Sequence, residues 1–522
     1  MSRYITTPIY YVNDKPHLGH LYTTLAADIL SRFFRFCGEP VKMATGTDEH
    51  GAKVEQAALR NGITPQQHTD IMSVHFKKLV EKCNIQNTDF IRTTEDRHKK
   101  AVHALWQRLI ANDQIYQDHY AGWYSVRDES FYDEKEITQT PNGPIAPTGA
   151  PVEWIQEPCY FFRLSQWQEP LIEHYTKHPD AIAPSSRYNE VISFLKSGLK
   201  DLSISRSKLK WGVLIPDSDH VFYVWIDALT NYLTVLGYPN DMKTVHQFWP
   251  HSLHLVGKDI LRFHAVYWPA LLMAAQLPPP SRIFAHGWWM HDGQKMSKSL
   301  GNVIDPINMI DDYGIDRVRY FLFRHVRFGQ DGDFSTNLFV QKCNQELADG
   351  LGNLAHRTLT FIHNRMGGMV PRIEKTTLDD QGQDLITWGQ NHYQYWVQMM
   401  NEQDLFSYLE SIYAGIQKGN QYIDHRAPWT LMKKANQGCA HSQNQVNNIM
   451  YTLLSIIRDI AVALYPVIPQ SSQALWTQLG YTTPLSDHNN LQGLLQKEMD
   501  PETPLPRPTP LFQKMDDAMH TS

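Results

Sequence analysis

The sequence predicts an α/β protein in which a parallel β-sheet is split by a small insertion and followed by an all-α bundle. Short β-prone segments alternate with helical segments at the start of the chain and again after about residue 200. This alternation is typical of parallel sheets, whose crossover connections are helices. Beyond about Asn337 only amphipathic helices are predicted, for example Leu347–Phe361, Leu405–Tyr422 and Ile449–Leu464.

The first elements form a predicted βαβ unit. Ile5–Tyr11 is β-prone. A helix follows, indicated by apolar residues at helical spacing: Leu18, Leu21, Leu25, Ile29 and Phe33. Gly38 ends this pattern, and a second strand is predicted at Val41–Thr45, before the polar segment Gly46–Gly51. Because ligands of parallel sheets collect beyond the carboxyl ends of the strands, the segments after both strands are candidate site residues.

The sequence pattern in the middle of the chain predicts the insertion. From about Ala121 to Lys200 the periodicity gives way to turns and short aromatic strands. Buried strands are then predicted at Val221–Trp225, Leu253–Val256 and Arg282–Ala285. We therefore expect five segments: the first half of a Rossmann-type domain at 1–120, the insertion at 121–200, the second half at 201–290, a loop and linker at 291–336, and the helical bundle with its tail at 337–522.

Composition limits the possible classes. A chain of 522 residues exceeds one compact core, and its net charge of −6 excludes a uniformly basic surface, so an RNA partner would need a local basic patch. No signal peptide or membrane-spanning run is predicted. The five cysteines are scattered without paired spacing, which favours free thiols and a cytoplasmic location: Cys37, Cys83, Cys159, Cys343 and Cys439.

Two short motifs point to nucleotide chemistry. His17-Leu-Gly-His20 stands where a loop enters a helix, and backbone N–H groups there favour phosphate. Lys295-Met-Ser-Lys-Ser299 lies in a loop bounded by glycines, with two ammonium groups that can close on a triphosphate. Either motif alone has a structural alternative, a chance histidine pair or a solvated charged loop. The positions of the two motifs, at the first strand–helix junction and after the last strand of the sheet, favour a functional role over these alternatives.

These are the two signature motifs of class I aminoacyl-tRNA synthetases, and the chain resembles that family along nearly its whole length. Relatives for valine, isoleucine and leucine carry a large editing domain, which the roughly eighty residues of the insertion cannot hold. Four segments are similar to the methionyl-tRNA synthetases: Thr7–Asn13, Thr45–Gly51, Val224–Leu229 and Val256–His264.

The resemblance implies ATP-dependent activation of methionine, with Mg²⁺ carried on ATP, and transfer to tRNA(Met), including the initiator. It implies a methionine pocket of eight residues: Ile9, Tyr11, Asp48, Trp225, Ala228, Leu229, Tyr232 and His264. Asp48 would bind the α-ammonium group, and the rest suit a polarisable thioether. It further implies an ATP site: Asn13, His17, Gly19, His20, Asp259, Lys295 and Lys298, with His17, His20, Lys295 and Lys298 stabilising the transition state.

Structural alternatives to these roles remain. Trp225, Ala228 and Tyr232 at helical spacing would ordinarily be core residues. The segment Asp48–His50, taken alone, is typical of a solvated turn.

The insertion departs from the family pattern. Many methionine enzymes hold zinc there through cysteine pairs. This chain has Ser125 where a first ligand cysteine is expected, and Cys159 is the only cysteine of the insertion. We therefore expect no metal site.

By the same resemblance, Asn353, Arg357 and Trp429 read the CAU anticodon, since single-stranded bases stack on aromatic rings while amides and guanidinium groups read their edges. The alternative is that Trp429 packs inside the bundle and Arg357 forms a surface ion pair. A monomer is expected because the chain ends soon after the bundle.

Two other classes of protein fit part of this pattern. A nucleotidyltransferase that makes a small adenylate without tRNA would not need the helical C-terminal third of the chain. A tRNA-binding module without catalysis would not need two phosphate-binding lysines.

Overall fold

The computed structural model of the chain describes residues 2–128, 130–132, 134–291, 293–296 and 303–516. It forms two compact units. The sheet unit contains residues up to 27 together with 41–286, and the helical unit contains 28–40 together with residues from 287 onward. Helix α1 contributes its first half to the sheet unit and its second half to the helical unit.

The sheet unit contains these strands and α-helices in chain order: β1 (Arg3–Tyr11), α1 (Leu18–Phe36), β2 (Val41–Asp48), α2 (Ala52–Arg60), α3 (Pro65–Lys82), β3 (Asp89–Arg92), α4 (Asp96–Ala111), β4 (Ile115–Ser125), β5 (Ser130–Tyr132), β6 (Thr138–Thr140), β7 (Gly143–Ile145), β8 (Glu153–Phe162), α5 (Gln168–Lys177), β9 (Ile182–Ala183), α6 (Ser185–Lys196), β10 (Leu202–Ser203), β11 (Ser205–Arg206), β12 (Val221–Phe222), α7 (Val224–Leu229), α8 (Asn231–Thr234), α9 (Met242–Phe248), β13 (Ser252–Gly257), α10 (Trp268–Ala274) and β14 (Arg282–His286).

A six-stranded parallel sheet organises this unit. Its strand order is β3-β2-β1-β13-β14-β9, and every neighbouring pair is parallel. Strand β1 from the start of the chain pairs directly with β13, so the two sequence halves form one sheet. Apolar residues on the sheet and its covering helices form the core, as expected when helices cover both faces of a parallel sheet. The predicted Rossmann-type α/β class is confirmed.

One predicted strand is wrong beyond its first residues. The segment Val221–Trp225 forms only the short strand β12, which pairs antiparallel with β11, and the chain turns into helix α7 at Val224. A short apolar run does not distinguish a buried strand from a buried helix, and here tertiary packing decides. As a result Trp225 lies on a helix.

The segment predicted as an insertion contains a separate sheet. Strands β10-β8-β4-β5 are antiparallel, and β6 and β7 form a small hairpin. Strand β9, however, lies within 121–200 and joins the main parallel sheet beside β14. The antiparallel sheet and the segment 121–200 are therefore not coextensive.

The helical unit contains these strands and α-helices in chain order: β15 (Trp289–His291), β16 (Gln294–Lys295), α11 (Pro306–Tyr313), α12 (Ile315–His325), β17 (Gly332–Phe334), α13 (Thr336–Cys343), α14 (Asn353–Arg365), α15 (Asp380–Ile386), α16 (Trp388–Glu402), α17 (Leu405–Arg426), α18 (Pro428–Ala435), α19 (Ala440–Leu464), α20 (Pro469–Gln478) and α21 (Leu491–Gln496). The predicted bundle is confirmed, and a π-helical segment at Asn344–Gly352 joins α13 to α14.

Helix α19 lies at the centre of the bundle. Its 25 residues are long and apolar enough to cross a membrane by length and composition alone, a run that the sequence analysis overlooked. Its most apolar stretch of 18 residues is 94% buried inside the protein, and the helix packs against α15, α17, α18 and α20. Burial on all sides explains why the second half of this helix is largely apolar apart from the ion pair of Arg458 and Asp459.

Candidate functional site

The first turn of α1 carries the His17–His20 motif. The two imidazole rings stack with their centroids 3.7 Å apart. The backbone N–H of Gly19 donates to Nδ1 of His17, and that of His17 donates to Nδ1 of His20, both at 3.1 Å. Because each Nδ1 is an acceptor, the proton of each neutral ring lies on Nε2. The motif therefore offers two Nε2–H donors at a helix N-terminus.

Both rings are neutral near pH 7. Loss of hydration lowers the pKa of His17, and the charge of Asp259 offsets only part of this effect. Burial and the neighbouring His17 hold the pKa of His20 well below its usual value. The motif can thus offer an anion hydrogen bonds and the helix dipole, without fixed positive charge.

Strand β1 holds this turn in place. The Tyr10 hydroxyl donates to the carbonyl of His20 at 3.1 Å and lies 2.7 Å from Oγ1 of Thr24. A Cβ on Gly19 would lie 3.0 Å from Cε1 of His17, tighter than an ordinary contact. Glycine at this position therefore allows the His17 ring to fold back over the start of the helix.

The candidate α-ammonium ligand lies at the end of β2. Asp48 is the last residue of that strand and is paired in register with Tyr11, the last residue of β1. Ile9 is paired with Gly46 in the same ladder. Two of the three candidate side chains, Tyr11 and Asp48, thus end neighbouring strands at the carboxyl edge of the sheet, where ligands of such sheets bind.

The segment Asp48–His50 is buried, so the solvated-turn interpretation is wrong. The carboxylate of Glu49 accepts two hydrogen bonds from Arg92, from Nε at 2.7 Å and from a terminal nitrogen at 3.0 Å. Hydroxyls of Thr47 and Thr94 donate to the same carboxylate. This partly buried ion pair was not predicted from the sequence, and it fixes the loop after β2.

Helices α7 and α8 bring the candidate pocket residues together. Tyr232 is buried, and its ring centroid lies 5.7 Å from that of His264, while Trp225 lies 6.1 Å from His264. Ala228 and Leu229 are buried on α7. The sequence analysis missed Phe263, whose ring stacks on Trp225 at 3.7 Å. Burial of Tyr232 and Ala228 fits both a core role and a pocket wall.

Hydrogen bonds determine which atoms of Tyr232 and His264 carry protons. Nδ1 of His264 lies 2.9 Å from the carbonyl oxygen of Ile260, so Nδ1 carries the proton. Burial lowers the pKa of His264 to about 4, and the ring is neutral at pH 7. Its Nε2 is then an acceptor, and the Tyr232 hydroxyl donates to it at 2.7 Å.

The remaining nucleotide candidates are placed as follows. Asp259 follows β13 in a single helical turn, and Asn13 is exposed in the loop between β1 and α1. In the helical unit, Lys295 pairs through its backbone with Met290 in the β15–β16 hairpin. Lys298 lies outside the described residues.

The candidate anticodon residues lie in the helical unit. Trp429, on α18, is 42% exposed, so it does not pack inside the bundle. The Arg357 guanidinium lies 5.7 Å from the centroid of the Trp429 ring and also donates to Asp424 at 2.7 Å. The surface ion pair considered as an alternative for Arg357 is thus present. Both residues line an open groove of about 360 Å³, together with His356, Thr360, Phe361, Asn364, Arg365 and Ile423.

Asn353 is exposed at the start of α14, one helical turn before Arg357, and does not line that groove.

The antiparallel sheet does not fit a structural zinc ion. Ser125 is buried, and Cys159 is buried with its sulfur 3.9 Å from the carbonyl of Ser205. Within the described part of the chain, no group of three or more His, Cys, Asp or Glu side chains could hold a metal ion. None of the five cysteines, all of which are among the described residues, forms a disulfide.

Comparison with known proteins agrees with both units. Residues 3–145 and 142–359 match the family model described as tRNA synthetases class I (M), and residues 373–522 match the anticodon binding domain of methionyl tRNA ligase. The chain is 50% identical to the methionine–tRNA ligase of Rickettsia felis over 91% of this chain and 92% of that one. It is 44% identical to the methionine–tRNA ligase of Brucella suis over 98% of both chains.

A solved structure is similar over its whole length. The methionyl-tRNA synthetase of Mycobacterium tuberculosis in complex with methionyl-adenylate matches with a TM-score of 0.93 and 41% identity, covering 98% of this chain and all of that one. The chain therefore belongs to the methionyl-tRNA synthetase family of class I aminoacyl-tRNA synthetases.

Proposed function

We propose that this chain activates methionine at the carboxyl edge of its parallel sheet and reads the anticodon of tRNA(Met) on helices α14 and α18. As a methionine–tRNA ligase, it joins methionine to ATP as methionyl-adenylate, releases pyrophosphate, and transfers methionine to tRNA(Met), the initiator included.

In the activation step, the methionine carboxylate attacks the α-phosphorus of MgATP and pyrophosphate leaves. Asp48 binds the α-ammonium group, and Asp259 accepts a hydrogen bond from the ribose. His17 and His20 donate their Nε2–H groups to phosphate oxygens as negative charge grows there. Lys295 and Lys298 compensate the charge of the leaving pyrophosphate. No side chain of this set has to accept a proton, because catalysis comes from alignment and charge stabilisation.

The side-chain subsite consists of Ile9, Tyr11, Trp225, Ala228, Leu229, Tyr232 and His264. Aromatic rings suit the polarisable thioether of methionine. Because the Tyr232 hydroxyl donates its proton to His264, the hydroxyl oxygen can only accept a hydrogen bond from any further group. The subsite therefore recognises methionine mainly by shape and by contact with aromatic rings. The nucleotide subsite adds Asn13 and Gly19 at the start of α1.

The observation that carries this proposal is the register of β1 and β2, which ends both strands together at Tyr11 and Asp48. Asp48→Ala should raise the KM for methionine steeply, because a charge-assisted hydrogen bond to a buried carboxylate is lost, while the KM for ATP stays near wild type. Asp96→Ala, at a carboxylate whose side chain is 91% exposed on α4, is the matched control and should change neither constant. Equal losses for both substrates in Asp48→Ala would show that Asp48 has a structural role.

We further infer a cytoplasmic monomer without zinc. The scattered cysteines support the cytoplasmic location, and the lack of a cysteine pair between 121 and 200 supports the lack of zinc. Elemental analysis should find well below one zinc per chain, and light scattering should give the mass of one chain. A stoichiometric zinc ion or a dimer would contradict these two inferences.

A further inference from the structure

A buried carboxylate lies between two imidazoles next to the candidate methionine pocket. Oδ2 of Asp227 lies 2.6 Å from Nδ1 of His50, and its Oδ1 lies 2.7 Å from Nε2 of His98. His50, Asp227 and His98 are 2%, 1% and 0% exposed. Nδ1 of His98 continues the chain of hydrogen bonds to Oγ1 of Thr234 at 3.1 Å. We call these three residues the Asp227 network.

The Asp227 network joins the two subsites that the proposed function assigns to methionine. His50 is the second residue after Asp48, the candidate ammonium ligand. Asp227 lies on α7 between Trp225 and Ala228, which belong to the side-chain subsite. A hydrogen bond of 2.6 Å therefore connects the loop after β2 to the helix that forms the pocket wall.

The rest of the loop is fixed to other elements. Trp211 donates its indole N–H to the carbonyl of Glu49 at 2.6 Å, and its ring makes an edge contact with His50. The Glu49 carboxylate is held by Arg92 at the end of β3. Of these contacts, only that between His50 and Asp227 joins the loop to helix α7.

Asp227 is an ionised group whose oxygens are already occupied. Burial alone would raise the pKa of Asp227, but the hydrogen bonds and charges of His50 and His98 outweigh burial and hold it below its usual range. A buried charge with a protein partner on each oxygen keeps one geometry, because a displacement breaks these hydrogen bonds. Such a group serves to hold its neighbours in position, and each carboxylate oxygen already has a protein partner.

We propose that the Asp227 network is a positioning device that sets the distance between the ammonium ligand Asp48 and the side-chain subsite on α7, and so selects an amino acid of methionine's length. The proposal rests on the proposed function, because it takes both subsites from there. The affinity of a ligand that contacts both subsites depends on the distance between them, whereas the affinity of a ligand that contacts only one subsite does not.

The test compares methionine with 4-(methylthio)butanoate, which has the same side chain but no ammonium group. In Asp227→Asn, the KM for methionine in pyrophosphate exchange should rise about tenfold or more, because charge-assisted hydrogen bonds are lost. The inhibition constant of 4-(methylthio)butanoate should stay within about threefold of wild type, since only one subsite is contacted. The KM for ATP should be unchanged.

A second variant covers the possibility that Asp227→Asn does not fold. His98→Gln leaves the bond between His50 and Asp227 in place. This variant should also raise the KM for methionine more than the inhibition constant of 4-(methylthio)butanoate, but by a smaller factor than Asp227→Asn. The matched control is Asp459→Asn, at a fully buried carboxylate of the bundle that pairs with Arg458. This control should lower the melting temperature without changing the KM for methionine.

Two results would overturn the proposal. One is an unchanged KM for methionine in a folded variant of the network. The other is an equal loss of affinity for methionine and for 4-(methylthio)butanoate, which a purely structural role predicts. Failure of the proposed function itself is distinguishable, because Asp48→Ala would then leave the KM for methionine near wild type.

Discussion

The Tyr232 hydroxyl donates to Nε2 of His264 at 2.7 Å, and the carbonyl of Ile260 fixes the proton of His264 on Nδ1. Both side chains are buried, so neither group exchanges this partner for water. The pair therefore presents one defined arrangement of donors and acceptors to the candidate pocket.

Tyr232→Phe should destabilise the protein and weaken methionine binding. Removing the hydroxyl leaves a buried acceptor on His264 without a donor, which costs about 1–3 kcal/mol. We expect a lower melting temperature, a several-fold higher KM for methionine and an unchanged KM for ATP. Tyr408→Phe, which removes a buried hydroxyl bonded to the carbonyl of Ala463 in the bundle, should lower the melting temperature alone. A Tyr232→Phe enzyme with wild-type methionine kinetics would exclude a role for this pair.

Stability should fall as the pH falls from about 6.5 towards 4. Burial lowers the pKa of His264 to about 4, so between these values the unfolded chain binds a proton that the folded chain does not. The loss levels off below the pKa of the folded state. His254, which faces His264 and has a pKa held well below its usual value by burial, contributes in the same direction.

Denaturant unfolding at a series of pH values checks this expectation. His264→Gln removes one titrating group and should reduce the slope of unfolding free energy against pH in that window. An identical slope in wild type and variant would show that His264 has an ordinary pKa.

Sequence periodicity predicted most of the fold because those signals are local. The apolar spacing in α1 and the β-prone runs of β1 and β2 depend on neighbouring residues alone. At Val224 the same reasoning failed, since a short apolar run fits a strand and a buried helix equally well. The outcome there depends on packing against distant segments.

Candidate site residues were predicted where a motif or a resemblance identified them. Residues whose role depends on contacts with distant parts of the chain were missed. Asp227 lies 177 residues from His50 and 129 from His98, so no local pattern could connect them. One signal was available, a single carboxylate inside the apolar run Val224–Leu229. A buried charge needs partners, and that residue could have been identified as paired.

Lys298 should lower the barrier to adenylate formation, by compensating charge on the leaving pyrophosphate. Lys298→Ala should reduce the single-turnover rate of activation far more than it weakens methionine binding, and Lys295→Ala should have a smaller effect in the same direction. An unchanged activation rate in Lys298→Ala would contradict the assignment.

Trp429→Ala should separate tRNA recognition from amino-acid activation. Stacking of a base on an aromatic ring contributes on the order of 1–3 kcal/mol, so charging of tRNA(Met) should fall severely. Pyrophosphate exchange, which needs no tRNA, should stay near wild type, and the melting temperature should be unchanged because the ring is 42% exposed. The control is Tyr395→Ala, at a ring 40% exposed on α16, which should leave charging intact. Parallel loss of exchange and charging would rule out anticodon reading by Trp429.

The activation of methionine by this chain is tested most directly by amino-acid-dependent exchange of labelled pyrophosphate into ATP, measured with the purified chain and each of the twenty amino acids. We expect strong exchange with methionine and little with any other amino acid, because the proposed side-chain subsite matches a thioether by shape and aromatic contact. Comparable or stronger exchange with a different amino acid, or no exchange with methionine, would contradict this expectation.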